Sequence, residues 1–186
     1  MKIQNVVIAG GGVLGSQIAY QCSYAGFHVT TYLRSEASVE RARPKVARLH
    51  GIYTAELQAA KTGATPVSRG LVMNQDPVGA DFDKLLQKAD AAYEGFHYET
   101  DLAAAVADAD LVIEALAEQP EAKEAFFSQL SPLLPEKTII ATNSSTLLPS
   151  LLAKSTGRPA KFLALHFANN IWKQNIAEVM GHSGTA

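Results

Sequence analysis

The chain has 186 residues, 47% of them hydrophobic and 18% charged, with a formal net charge of −2. That balance suits one soluble globular domain and removes the electrostatic case for a nucleic acid or a membrane surface as partner. The longest apolar stretches, such as residues 111–116 with Glu114 inside, are far too short to span a bilayer.

Met1-Lys2-Ile3-Gln4-Asn5 runs directly into a strand-like segment, with no signal-peptide hydrophobic region or cleavage site. Cys22 is the single cysteine, so no internal disulfide can form, and the expected compartment is cytoplasmic. Val6-Val7-Ile8-Ala9 is a short apolar run ending in Gly10-Gly11-Gly12, the pattern of a buried parallel strand feeding a tight turn. Over residues 13–24, Leu14, Ile18, Ala19 and Cys22 recur at helical spacing, and Gly26 supplies a stop. Cys22 reads as a small core residue rather than a reactive thiol.

The turn Gly10-x-Gly12-x-x-Gly15 therefore lies between a strand and a helix. There, Gly10 allows the tight turn, Gly12 lets the backbone reach a pyrophosphate, and Gly15 lets the helix pack on the strand. The helix start, with Val13 and Leu14, presents unpaired N–H groups to phosphates. In this context the pattern predicts a dinucleotide site.

Residues 29–33 are β-rich and end in Tyr32-Leu33-Arg34-Ser35. An acid there would hold the ribose 2′-hydroxyl of NAD, but the nearest one, Glu36, falls past the strand. Leu33 cannot bind a hydroxyl, whereas Arg34 and Ser35 can bind a phosphate, which favours NADP. The alternative is an Arg34 that only stacks on the adenine, leaving NAD accepted. Residues 36–92 are mostly helical, with a looser middle around Pro66, Gly70, Pro77 and Gly79. The helical opening carries Arg41, Arg43, Lys45 and Arg48, which read as a solvated face.

After Asp101 the alternation resumes. A short helix over residues 102–107 precedes a strand over 111–114, and an amphipathic helix over 121–134 follows Pro120. Residues 138–141 form a strand, 146–154 a helix with Ser145 as a candidate N-cap, and 162–165 a strand running into His166. Residues 176–180 make a last strand. Strands alternating with helices predict a Rossmann-like, doubly wound α/β fold: a largely parallel sheet with a helical excursion after strand two. Residues 1–186 read as one dinucleotide-binding domain, and no His/Cys/carboxylate cluster has metal-ligand spacing.

Leu111-Val112-Ile113-Glu114-Ala115-Leu116-Ala117-Glu118, with Lys123 and Phe126-Phe127 after it, resembles the middle of 3-hydroxyacyl-CoA dehydrogenase cofactor domains. Thr142-Asn143-Ser144-Ser145-Thr146 is similar to that family's Ser/Thr-Asn-Thr-Ser-Ser turn, and His166-Phe167-Ala168-Asn169 to its His-Phe-Phe-Asn. Glu178-Val179 falls where the family has Val-Glu-Val. The resemblance implies an NAD-linked oxidation of the 3-hydroxyl of an acyl-CoA of L (S) configuration. It assigns His166 as acid and base, and Glu178 as the carboxylate on its other nitrogen. It also places Ser145 and Asn169 against the substrate oxygen or the nicotinamide, and Glu118 and Lys123 along the cofactor. The chemistry is consistent, since a histidine near pKa 6.5 suits proton transfer at neutral pH.

Two departures stand out. The family's Pro-Val after His-Phe-Phe-Asn is replaced by Asn170-Ile171-Trp172-Lys173-Gln174-Asn175, making Trp172 a candidate wall of the substrate pocket. The acid after strand two is missing. The chain also stops at about the point where the family's helical C-terminal domain begins, so the expectation is dinucleotide binding with poor turnover, and a homodimer only with that domain. Two other functions stay open. One is a dehydrogenase of the same superfamily acting on a small hydroxy acid or sugar acid; the other is a non-catalytic dinucleotide-binding module. His28, His50, His97 and His182 have no motif around them and read as structural.

Overall fold

The computed structural model describes residues 2–73 and 76–186. Met1 of the N-terminal run lies outside them, as do Asn74 and Gln75 of the looser middle. Strand β1 (Asn5–Ala9) shows why the fold has layers. Its side chains alternate between faces, and both sets are buried. Val6 and Ile8 join Ile18 and Ala19 of helix α1 (Val13–Ala25), while Val7 and Ala9 join Val106, Phe127 and Phe162 on the opposite face. A strand that is apolar and buried from Val6 to Ala9 needs cover on both sides, as central parallel strands have.

The remaining strands are β2 (His28–Tyr32), β3 (His97–Glu99), β4 (Leu111–Glu114), β5 (Ile139–Thr142), β6 (Phe162–Phe167) and β7 (Ala177–Met180). They lie in the order β3-β2-β1-β4-β5-β6-β7, parallel except for the antiparallel β7. The order reverses direction between β1 and β4. In open α/β sheets the crevice beyond the carboxyl ends at such a switch point is where ligands bind.

The excursion after β2 is part of the core. Helices α2 (Glu36–Lys61) and α3 (Phe82–Glu94) pack on α1 through Tyr20, Tyr24 and Tyr53. Each phenol finds a partner: Ala89 O at 2.8 Å, Leu71 O at 2.7 Å and Gln21 Oε1 at 2.6 Å. Cys22 packs beside the sheet on α1, and desolvation pushes its thiol up to about 12. It is protonated at neutral pH, in keeping with a core role.

Several boundaries differ from the sequence reading for identifiable reasons. Strand β3 is absent from it, because three residues at a sheet edge carry too little periodicity to register. Helix α4 (Leu102–Val106) and helix α5 (Pro120–Leu130) start close to expectation. After Leu130 the chain tightens into a 3-10 turn, Ser131–Leu133, because Pro132 has no N–H to continue the helix. Helix α6 is only Pro149–Leu152, not residues 146–154. Leu148 is extended (φ −62°, ψ 135°), as a residue before proline prefers, so the helix starts at Pro149. The 170–175 segment folds as a single helical turn, α7 (Ile171–Gln174).

Candidate active site

Most of the residues expected at the site line one cavity of about 750 Å³ at the carboxyl ends of the strands, while Glu178 reaches it only through His166. The turn contributes Gly10, Gly12, Val13, Leu14 and Gly15. Glu118 and Lys123 enter from beyond β4, Ser145 from beyond β5, and His166 and Asn169 from the end of β6. Arg34 and Ser35 are not among its lining residues and lie past the end of β2.

Three glycines of the turn play separable parts. Gly10 adopts φ +126°, and a Cβ there would overlap the carbonyl of Ala115, which follows β4 across the switch point. A Cβ on Gly15 would overlap the Gly10 carbonyl, so this glycine lets α1 sit against the turn. A Cβ on Gly12 would meet nothing within 4 Å. Gly12 also occupies the N-cap of α1 without a side-chain cap, so the first N–H groups of the helix face the open space above it. This vacant approach to a helix N-terminus fits a dinucleotide pyrophosphate.

Behind the turn lies a charged cluster that the sequence reading only half found. Lys123 and Glu114 are both fully buried, with Nζ 2.6 Å from Oε1. Glu114 also accepts from Thr142 Oγ1 at 2.6 Å and from the Leu116 N–H at 2.6 Å. Lys123 reaches Glu118 Oε2 at 3.2 Å, so one ammonium joins two carboxylates. Burial acts upward on the Glu118 carboxyl, but the Ser144 hydroxyl, the Lys123 charge and the Thr146 hydroxyl outweigh it and set it at about 2. Glu118 is therefore ionised at neutral pH. In the sequence Glu114 stands only within the family-like run, and the signal that marks it is a carboxylate inside an otherwise apolar strand.

Ser144, not Ser145, does the local capping. Its Oγ donates to Glu118 and accepts the Leu147 N–H at 2.9 Å, whereas Ser145 is exposed at the cavity. The expected N-cap role for Ser145 fails because the helix begins four residues later than Ser145, at Pro149. Asn143 holds the next strand in place, its Oδ1 accepting the Phe167 N–H at 3.0 Å.

His166 and Glu178 meet across the antiparallel β6–β7 pair, with Nδ1 3.1 Å from Oε2. A carboxylate at Nδ1 fixes the proton there and leaves Nε2 free to accept one. Asn169 is exposed at the same cavity. The four remaining histidines do not line this cavity. Among them, His50 contacts Asp90, His28 contacts Asn5, and His182 contacts the Pro159 carbonyl.

Beyond β2, Leu33 is buried against Val39 and Ala42 and offers no polar group. Arg34 is exposed and makes no hydrogen bond or ion pair among the described residues. Ser35 caps α2, its Oγ 3.0 Å from Ser38 Oγ, which in turn accepts Arg41 Nη2 at 2.8 Å. Lys45 is not merely solvated, since Nζ donates to the Gly11 carbonyl at 3.0 Å. Trp172 does not wall the main cavity. It is buried against Tyr53, ring centroids 5.6 Å apart, and borders a neighbouring cavity. Among the described residues no cluster of three or more His, Cys, Asp or Glu is placed to hold a metal. No described helix is long and apolar enough to cross a membrane.

A family model described as 3-hydroxyacyl-CoA dehydrogenase, NAD binding domain, matches residues 5–186. A probable 3-hydroxybutyryl-CoA dehydrogenase of Bacillus subtilis (strain 168) is 29% identical over 180 residues, covering 97% of this chain and 54% of that protein. Among solved structures, a diketoreductase studied for substrate-directed dual catalysis of dicarbonyl compounds is 44% identical, with a TM-score of 0.82. That match covers 100% of this chain and 57% of the diketoreductase. The 3-hydroxybutyryl-CoA dehydrogenase of Escherichia coli K12 substr. MG1655 is 27% identical, with a TM-score of 0.75, over 100% of this chain and 34% of that one. The chain thus spans about half the length of the first two relatives.

Proposed function

The chain belongs to the family of the 3-hydroxyacyl-CoA dehydrogenase NAD-binding domain, and from that membership we propose that it houses the cofactor and the proton-transfer group of an oxidoreductase for 3-hydroxy/3-keto acyl-CoA. The observation that carries this reading is His166, paired with Glu178, in the same cavity as the glycine turn. A bound nicotinamide dinucleotide supplies the hydride acceptor in oxidation and the donor in reduction. Gly10, Gly12 and Gly15, with Val13 and Leu14 at the start of α1, hold its pyrophosphate. Glu118 and Lys123 line its further course.

On oxidation, His166 Nε2 takes the proton of the substrate hydroxyl, and Glu178 stabilises the imidazolium that forms. On reduction the same nitrogen returns the proton to the carbonyl oxygen. Ser145 and Asn169, both exposed to the cavity, orient the substrate oxygen or the nicotinamide. Arg34 and Ser35 favour NADP, because an unpaired guanidinium beside a serine just past β2 suits a 2′-phosphate, and Leu33 stands where an acid would hold the 2′-hydroxyl of NAD.

The test is a titration with NADH and NADPH followed by nicotinamide fluorescence, then reduction of acetoacetyl-CoA by the protein. Saturable dinucleotide binding and a rate abolished by His166→Asn are expected. Tighter binding of NADPH, weakened by Arg34→Ala, supports the 2′-phosphate reading; equal affinities for both dinucleotides remove it. A second reading, a small hydroxy acid or dicarbonyl as substrate, is favoured by the 44% identity to the diketoreductase.

A further inference from the structure

We propose that Lys45 is a positioning residue for the cofactor, acting on the backbone of the glycine turn from the side of α2. It fixes the Gly11–Gly12 peptide so that the Gly12 N–H points into the open approach where the pyrophosphate binds. This role rests on the proposed function and deepens it, since it concerns the same turn and the same ligand.

The turn holds three glycines in a row, Gly10, Gly11 and Gly12. A peptide unit between two glycines has no Cβ on either side to hinder its rotation, so local sterics leave the Gly11–Gly12 unit loose. Tertiary contacts restrain it. A Cβ on Gly11 would lie 2.9 Å from Leu33 Cδ2 and 3.0 Å from Ala42 Cβ, so α2 presses against the turn at this residue. Lys45 lies three residues beyond Ala42, on the same face of α2. Its Nζ donates to the Gly11 carbonyl at 3.0 Å and to the Arg41 carbonyl at 2.8 Å. The ammonium therefore bridges the turn and the helix. Of its basic neighbours, Arg41 bonds Ser38 and Arg43 bonds Glu40 instead.

The peptide is planar and trans, so its C=O and N–H point in opposite directions. With the Gly11 carbonyl drawn to α2, the Gly12 N–H is aimed away from α2, and it has no acceptor among the described residues. Gly12 lines the main cavity and Lys45 does not, so the two ends of this peptide serve different sides of the turn. A hydrogen bond from a cation to the carbonyl also polarises the peptide, making its N–H the stronger donor. A flipped peptide would present the carbonyl oxygen to the phosphates and repel them.

The test is an NADH titration of Lys45→Met followed by nicotinamide fluorescence, with ADP-ribose as competitor. Loss of the charge-assisted bond is expected to weaken both ligands about tenfold, because both carry the pyrophosphate. Lys45→Arg, which keeps a donor for the carbonyl, is expected to restore most of the affinity. Arg48→Met removes the same charge about one turn further along α2 and should bind NADH as the unaltered protein does. The loss in Lys45→Met should persist from about 0.05 M to about 1 M salt, since a partly buried contact is screened little. A loss that vanishes in high salt overturns the proposal and leaves Lys45 a surface charge, as does an equal loss in Arg48→Met. A Lys45→Arg variant as weak as Lys45→Met overturns it too, and so does weakened NADH binding beside normal ADP-ribose binding. Normal NADH binding by Lys45→Met, even with a lowered Tm, removes the role of Lys45 alone. Absent NADH binding by the unaltered protein counts against the proposed function itself.

Discussion

His166 and Glu178 are register partners across β6 and β7, and that backbone alignment sets Nδ1 3.1 Å from Oε2. The carboxylate is largely exposed, so its removal leaves the core untouched. Glu178→Gln is expected to lower kcat on the order of 10²-fold, the lower end of what a positioned acid or base contributes. NADH affinity should not move. Steady-state kinetics beside an NADH titration checks both, and an unchanged kcat takes Glu178 out of the mechanism.

The glycine turn separates folding from binding. Gly12→Ala places its methyl in open space at an ordinary φ of −67°, so Tm should hold while dinucleotide affinity falls. Gly15→Ala drives a methyl into the Gly10 carbonyl and should cost about 1–3 kcal/mol of stability. Thermal melts with and without NADH distinguish the two variants. A Gly12→Ala protein that binds NADH normally would place the pyrophosphate elsewhere.

Lys123 and Glu114 stabilise each other without water. Lys123→Met leaves Glu114 charged and buried, and the loss should be about 3–5 kcal/mol. Adding Glu114→Gln removes the orphaned charge and should restore part of that loss. Urea denaturation of both single variants and the double variant measures the coupling. Additive losses would show that the pair is not coupled.

Asp110 makes stability depend on acid. Its carboxylate accepts the N–H groups of Asn5 and Gln4, both at 2.9 Å, and pairs with Lys137 at 2.8 Å. The Asn5 N–H, then Lys137 and the Gln4 N–H, hold the carboxyl well below the usual range. A folded value below the unfolded one, about 3.9, stabilises the fold in full above that pH and fades as pH falls below it. Asp110→Asn should therefore have a lower Tm at neutral pH, and the gap to the unaltered protein should close in acid. Melting curves from about pH 6 down to about pH 2 read this directly. A gap that stays constant would place the stabilisation outside Asp110 ionisation.

The glycine turn and the layered fold were legible in the sequence, because each follows from local spacing, whereas the place of His166 beside the turn was implied only by the family resemblance. Gly10, Gly12 and Gly15 are separated by fixed short intervals, and an apolar strand such as Val6-Val7-Ile8-Ala9 declares that both its faces are covered. Ser144 and Ser145, by contrast, are indistinguishable as residue types. Their roles differ only because Glu118, brought over from beyond β4, meets one hydroxyl and not the other.

The amino-acid sequence by itself thus determined the alternation of strands and helices and the composition of the phosphate-binding turn, since backbone sterics and side-chain periodicity act within a few residues. Only the tertiary structure decided which charges are buried and which cavity a side chain enters. Glu114 and Lys123 lose their water where the end of β4 packs under α5, and Trp172 turns toward Tyr53 on a helix more than a hundred residues away. Desolvation and packing of that kind depend on elements distant in the chain, and no local pattern records them.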